Sequence, residues 1–127
     1  MGRIKTILAS AGTAILLANP VVAEMSLSRD FAGCAGRLSA EMEHAWLMAR
    51  ENASQLEAER ATFLTLLEAV AVQDQARRLM TYRIETKIAH AALLTSADFA
   101  PDARRAAQAR HIAQNHVTAC RRMLLGA

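Results

Sequence analysis

The feature that most constrains this chain is a long stretch without Gly or Pro. From Arg37 to Ala100 neither residue occurs, and beyond residue 23 only Gly33, Gly36, Pro101 and Gly126 interrupt the chain. Ala is frequent and β-branched residues are sparse. Because Ala has the highest helix propensity, while Gly and Pro have the lowest, this composition favours α-helix throughout.

Apolar residues recur at steps of three and four, as on one face of a helix. A first stripe comprises Phe31, Cys34, Ala35, Leu38, Met42, Ala45 and Ala49. A second comprises Leu56, Phe63, Leu67 and Val70, and a third Ala76, Met80, Ile84, Ile88 and Ala91. Each stripe predicts one amphipathic helix with those residues in the core.

Turn and capping signals separate these segments. The sequence Ser54-Gln55-Leu56-Glu57 is a capping box and predicts the start of a second helix. The third stripe is shifted by about one residue, or about 100° of helix, from the second. A break near Gln73, with Asp74 as N-cap of the next helix, is therefore favoured over one helix across 55–94.

The end of the chain predicts a further helix. The third helix is expected to end near Leu94, where the turn cluster Thr95–Asp98 follows. Pro101 suits the first position of a last helix that ends near Leu125, before Gly126. Four helices with short connections predict an all-α, antiparallel four-helix bundle in the up-down-up-down order.

The two cysteines, Cys34 and Cys120, test this topology. In such a bundle the start of the first helix and the end of the last lie at the same end, so the two thiols can meet. We expect them to form one structural disulfide, as paired cysteines in exported proteins usually do. No CxxC or CxxCH motif occurs, and two distant cysteines are too few for a zinc site.

Residues 1–23 have the layout of a secretory signal peptide. Arg3 and Lys5 precede an apolar run, and a small residue, Ala23, stands at the expected cleavage point. The run is shorter than the roughly 20 residues that span a bilayer. We therefore expect export to the bacterial periplasm, cleavage near Ala23, and one helical domain at 24–127 with no transmembrane segment.

Charge is distributed unevenly after the expected cleavage. Loss of Arg3 and Lys5 lowers the formal net charge from +3 to +1, which gives no case for binding nucleic acid or anionic lipid. Residues 24–74 hold nine acids and four Arg, whereas residues 75–127 hold nine cations and three acids. The favoured interpretation is an acidic hairpin that packs against a basic one; the alternative is a surface that docks a charged partner.

A few residues are candidates for binding. Trp46 is the single Trp and flanks the first stripe, so it is a candidate anchor for a partner. Arg77 and Arg78 form a cation pair that suits an anionic ligand or an acidic partner. His44 and Met48, with Met42 nearby, offer the imidazole and thioether groups that copper binds.

No reaction can be derived from these residues. No catalytic residues can be assigned, because no nucleophile is paired with a base in a known pattern, and no Gly-rich loop suits a phosphate. We expect no cofactor. The sequence indicates a non-catalytic binding or structural module, whose partner is another exported protein. The alternative is a small metal- or cofactor-binding bundle that acts as a carrier or sensor.

Overall fold

A computed structural model describes the backbone of residues 20–126 and the side chains of residues 25–126. It contains four α-helices: α1 (Pro20–Leu47), α2 (Ala53–Val70), α3 (Ala76–Phe99) and α4 (Ala103–Leu125). A single 3-10 turn, Gln73–Gln75, joins α2 to α3. The predicted all-α bundle is confirmed. The predicted signal peptide falls outside the residues with described side chains, and its cleavage stays a prediction.

The helices form two antiparallel hairpins that meet through their first helices. The first hairpin is α1 with α2, and the second is α3 with α4. Helices α1 and α3 run parallel in close contact, as the pairs Gly33 with Tyr82 and Glu41 with His90 show. Within the described chain, no Cα atom of α2 comes within 8 Å of one in α3, although these helices are consecutive. The contact of α1 with α3 is therefore the most extensive backbone contact between the two hairpins.

Gly36 allows α1 and α3 to approach this closely. A Cβ atom at this position would overlap the Arg83 carbonyl oxygen and the Thr86 hydroxyl of α3. Helix α1 is consequently buried on nearly all sides between Phe31 and Ala40. A Gly in the middle of a helix costs about 1 kcal/mol relative to Ala, and here the close backbone packing offsets that cost.

The disulfide forms between Cys34 of α1 and Cys120 of α4, as predicted, with their Cα atoms 5.6 Å apart. Both sulfurs lie in the main core. Phe31 and Phe63 pack there with ring centres 6.0 Å apart, beside the fully buried Leu38 and Leu56. The bond thus connects the two hairpins at the point where their apolar faces meet.

Ion pairs connect the two hairpins. Among residues 25–126 every ion pair joins the first hairpin or its loop to the second hairpin: Glu41–His90, Glu43–Lys87, His44–Asp98, Arg50–Asp98 and Glu59–Arg121. In three of these pairs the acid belongs to the acidic half of the sequence and the base to the basic half. These three pairs match the favoured interpretation of the charge asymmetry, an acidic hairpin packed on a basic one, whereas the two pairs of Asp98 have the opposite sense.

Several predicted helix ends were wrong. Helix α2 begins at Ala53 after Asn52, so Ser54 lies inside the helix and its capping box does not form. The break near Gln73 is confirmed, but Asp74 lies in the 3-10 turn and Gln75 precedes α3. Helix α3 continues to Phe99 through the expected turn cluster, because its residues Leu94 and Ala97 are buried against the other helices.

The start of α4 also differs from the prediction. Pro101 lies in the bend before the helix, not in its first turn. The cap is Asp102, whose side chain accepts a hydrogen bond from the Arg104 backbone N–H. An N-cap carboxylate both satisfies a free donor and interacts favourably with the helix dipole, which explains why the helix begins two residues later.

The apolar stripe predicted for α3 is wrong in a way that matters for function. Met80, Ile84 and Ile88 are not core residues: they are 51%, 49% and 64% exposed. The face of α3 that meets α1 instead carries Thr86, which lies against Gly36, and His90, which donates a hydrogen bond to Glu41. We call Met80, Ile84 and Ile88 the aliphatic ridge.

Between residues 20 and 126, none of the helices combines the length and apolar character needed to cross a bilayer.

Candidate anion-binding cleft

An open cleft rich in arginine lies where α1 and α3 pass each other near their N-terminal ends. It has a volume of about 360 Å³ and is lined by Arg29, Arg77, Arg78, Thr81, Tyr82 and Glu85. We call it the arginine cleft. A smaller cavity of about 150 Å³ adjoins it and shares Arg29, Arg78 and Tyr82. Three arginines from two helices therefore line one surface depression.

Tyr82 organises this cleft. The guanidinium carbon of Arg29 lies 3.9 Å from the centre of the Tyr82 ring, which is a cation–π contact. Arg78 and Tyr82 are four residues apart and so share a face of α3. Stacking on the ring restricts the rotamers of Arg29, so less side-chain entropy is lost when the guanidinium binds a ligand.

The cleft has cations in excess of anions. Among residues 25–126, neither Arg29, Arg77 nor Arg78 forms an ion pair, although Glu85 is nearby. An arginine fork presents two parallel N–H donors that match the oxygens of a carboxylate or a phosphate. The arrangement is therefore suited to bind an oxyanion.

The residues that the sequence indicated for partner binding lie at opposite ends of the bundle. Arg77 and Arg78 lie in the arginine cleft, near the start of α3. Trp46 is 55% exposed near the end of α1. The 17-residue separation of Arg29 and Trp46 corresponds to about 26 Å along α1. Trp46 is thus an exposed side chain that cannot contact the same small ligand as the two arginines.

His44 and Met48 are not brought together with other metal ligands. His44 is buried and its Nε2–H donates to Asp98 Oδ2 at 2.6 Å, so this nitrogen is engaged within the protein. Met48 follows the end of α1 and is 37% exposed. Across the described residues, no group of three or more His, Cys, Asp or Glu side chains is placed to hold a metal ion.

A network around Asp98 closes the opposite end of the bundle. Asp98 accepts hydrogen bonds from His44 and from Arg50, each at 2.6 Å, while Arg110 donates to the Ala97 carbonyl oxygen. The hydrogen bond from His44 lowers the pKa of Asp98 below its ordinary value of 3.8, against the opposing effect of burial. These contacts join α1, α3 and α4, and their effect is structural.

A second polar cluster lies inside the bundle. His90 is 1% exposed, and its Nε2–H donates to Glu41 Oε1 at 2.8 Å. The ring of His116 is 5.8 Å from that of His90, and the Nδ1 atom of each ring is buried without a hydrogen-bond partner. Burial, followed by the charges of Arg37 and His90, lowers the pKa of His116 below its ordinary value of 6.5.

This shift predicts a dependence of stability on pH. Because the unfolded chain binds the His116 proton more tightly than the folded chain, the folded state is favoured above pH 6.5. The free energy of unfolding is expected to fall as the pH decreases from 6.5 towards the lower pKa of the folded state. His116→Gln should reduce this slope, measured by urea unfolding at several pH values.

The exposed His111 supplies the control for that measurement. Its Nε2 atom accepts a hydrogen bond from the Asn115 side-chain amide, 3.1 Å away on the same helix. His111→Gln should leave the slope below pH 6.5 as it is in the wild type. Equal slopes in the wild type and in His116→Gln would contradict this origin of the pH dependence.

Sequence reasoning missed Arg29, Tyr82 and the buried histidine cluster. The spacing of Arg78 and Tyr82 was visible in the sequence, but Arg29 belongs to another helix, and only the parallel contact of α1 with α3 brings it there. Similarly, the sequence showed Glu41 and His90 but not that their helices run side by side.

Comparison of the chain with protein-family models, curated proteins and solved structures finds no match.

Proposed function

We propose that this chain is an exported, non-catalytic helical module that binds an anionic partner in the arginine cleft. The observation that carries the proposal is the convergence of Arg29, Arg77 and Arg78 on an open depression without ion-pair partners among residues 25–126. Export is supported by the signal-peptide pattern of residues 1–23 and is compatible with the Cys34–Cys120 disulfide.

The rest of the molecule supports a rigid binding module. The disulfide and the ion pairs hold the two hairpins together, so the relative position of α1 and α3, and with it the cleft, is fixed. A site fixed before binding loses less conformational entropy when the ligand arrives. The fold thus provides a preorganised arrangement of cations.

The binding test uses pyrophosphate as a soluble oxyanion. The double variant R77Q/R78Q is expected to bind it at least tenfold more weakly than the wild type, because two of the three guanidinium groups are lost. Isothermal titration calorimetry at low salt measures the dissociation constants. Since both side chains are exposed, the variant should keep the helical circular-dichroism spectrum and the unfolding midpoint of the wild type.

The control is a second exposed arginine pair, Arg104 and Arg105 at the start of α4. R104Q/R105Q removes the same number of charges but leaves the arginine cleft intact. Equal losses of affinity in the two double variants would show that only net charge matters and would contradict the proposal. An absence of pyrophosphate binding by the wild type would contradict it as well.

A further inference from the structure

The aliphatic ridge lies beside the arginine cleft on the same helix. Met80, Ile84 and Ile88 occupy successive turns of α3 and extend over about 12 Å. They remain largely exposed because α2 packs on α1 and no Cα atom of α2 comes within 8 Å of one in α3; only Met80 borders a small cavity that α2 side chains also line. Three large aliphatic side chains in one line on a small bundle form an apolar surface of the kind that marks a contact site.

Cations border this ridge. Arg77 precedes it within about 20° of its direction on the helix, whereas Lys87, about 60° to one side, is paired with Glu43. Arg78 lies about 120° to the other side, in the arginine cleft, which Glu85 also lines. The formal net charge of the chain gave no case for lipid binding, but the structure places these cations beside exposed aliphatic groups. For binding to an anionic membrane, the charge close to the ridge therefore matters more than the net charge of the chain.

We propose that α3 lies on the surface of an anionic phospholipid membrane, with the aliphatic ridge inserted among the acyl chains and the arginine cleft on lipid phosphates. This inference rests on the proposed function, because it identifies the oxyanion of the cleft as a lipid headgroup. An apolar helix face bordered by Arg and Lys is the pattern of helices that lie in the membrane interface.

The composition of the surface favours a membrane over a folded protein. The ridge consists of Met and Ile, whereas protein-binding hot spots are typically Trp, Tyr or Arg in a well-packed pocket. A fluid bilayer can accommodate exposed aliphatic side chains without a complementary groove. The depth to which such side chains reach, about 5 Å or more, matches the boundary between headgroups and acyl chains.

Vesicle binding tests this inference with the purified protein. The wild type is expected to co-sediment with vesicles of 30% phosphatidylglycerol in phosphatidylcholine and to bind at least tenfold more weakly to pure phosphatidylcholine. I84S/I88S should bind the anionic vesicles at least tenfold more weakly than the wild type while binding pyrophosphate with unchanged affinity. Because both isoleucines are exposed, this variant is expected to fold normally.

The matched control is L47S, which removes an aliphatic side chain that is 76% exposed near the end of α1. L47S should bind the anionic vesicles like the wild type. Equal losses in L47S and I84S/I88S, or unchanged binding of I84S/I88S, would overturn the role of the ridge. R77Q/R78Q should lose binding to the anionic vesicles and to pyrophosphate together.

The outcomes separate this inference from the proposed function. If the wild type binds pyrophosphate but not anionic vesicles, the membrane inference is wrong while the arginine cleft stands. If an acidic peptide such as hexaglutamate binds and the vesicles do not, the partner is a protein and the inference is again wrong. If the wild type binds neither pyrophosphate nor anionic vesicles, both the proposed function and the membrane inference are wrong.

Discussion

Replacing Cys34 and Cys120 with Ala is expected to lower the free energy of unfolding by about 4 to 5 kcal/mol. The disulfide joins residues that are 86 apart in sequence, and the loop-closure entropy of the unfolded chain rises with the length of the loop. Small domains have a total stability of only about 5 to 15 kcal/mol, so this loss is a large fraction of it. Urea unfolding of the wild type and the double variant measures the difference.

Reduction of the wild type provides the control for this prediction. Because reduction removes the same cross-link between the two hairpins, reductant should bring the stability of the wild type down to about that of the double variant. Reductant should leave the double variant unchanged. A wild type whose unfolding midpoint does not respond to reductant would show that the bond contributes little to stability.

Substituting Gly36 with Ala is expected to destabilise the fold by about 2 to 3 kcal/mol. The added Cβ would overlap the Arg83 carbonyl oxygen, which belongs to the backbone and can move only if α3 moves as a whole. Overpacking typically costs about 1 to 3 kcal/mol and occasionally more; because the obstacle here is backbone, we expect a cost of about 3 to 4 kcal/mol, of which the better helix propensity of Ala offsets about 1 kcal/mol. Thermal and urea unfolding of the variant measure the net effect.

Gly33 is the matched control for Gly36. It lies in the same helix and is also buried, but a Cβ there would meet the Tyr82 ring at 3.2 Å, a side chain that can shift slightly. Gly33→Ala should therefore change the stability by less than about 1 kcal/mol. If Gly36→Ala is no more destabilising than Gly33→Ala, the close contact between α1 and α3 does not determine the fold.

The architecture was largely accessible from the sequence. The stretch without Gly or Pro predicted helices, and the positions of Cys34 and Cys120 predicted the antiparallel order that the structure confirms. The charge asymmetry predicted that the hairpins pair, and ion pairs such as Glu43–Lys87 join them. These features depend on composition and on the positions of residues along the chain, and both are visible in the sequence.

The face that α3 buries could not be predicted from the sequence. Hydrophobic periodicity places the largest aliphatic residues in the core, and for α3 this indicated Ile84 and Ile88. The helix turns the half-buried Thr86 and the buried His90 towards α1 instead, because α1 and α3 approach closely at Gly36. A constraint set by a residue in another helix overrides the local pattern, and no single segment contains that information.

The candidate site could not be predicted from the sequence for the same reason. Arg77 and Arg78 were recognised as a cation pair, but a pair of this kind on a helix is usually only a solvated face. They become part of a candidate site because Arg29, which stacks on Tyr82 across the α1–α3 contact, lines the same cleft. Residues that come from two helices 45 or more positions apart in sequence can be associated only when the packing of those helices is known.

Binding of an oxyanion in the arginine cleft is tested most directly by nuclear magnetic resonance. Titrating the ¹⁵N-labelled protein with pyrophosphate should shift the amide signals of Arg29 and of residues 75–85 most strongly. Signals from residues 44–50, at the other end of α1, should hardly change. Shifts centred on Trp46, or spread evenly over all exposed cations including Arg104 and Arg105, would contradict the claim.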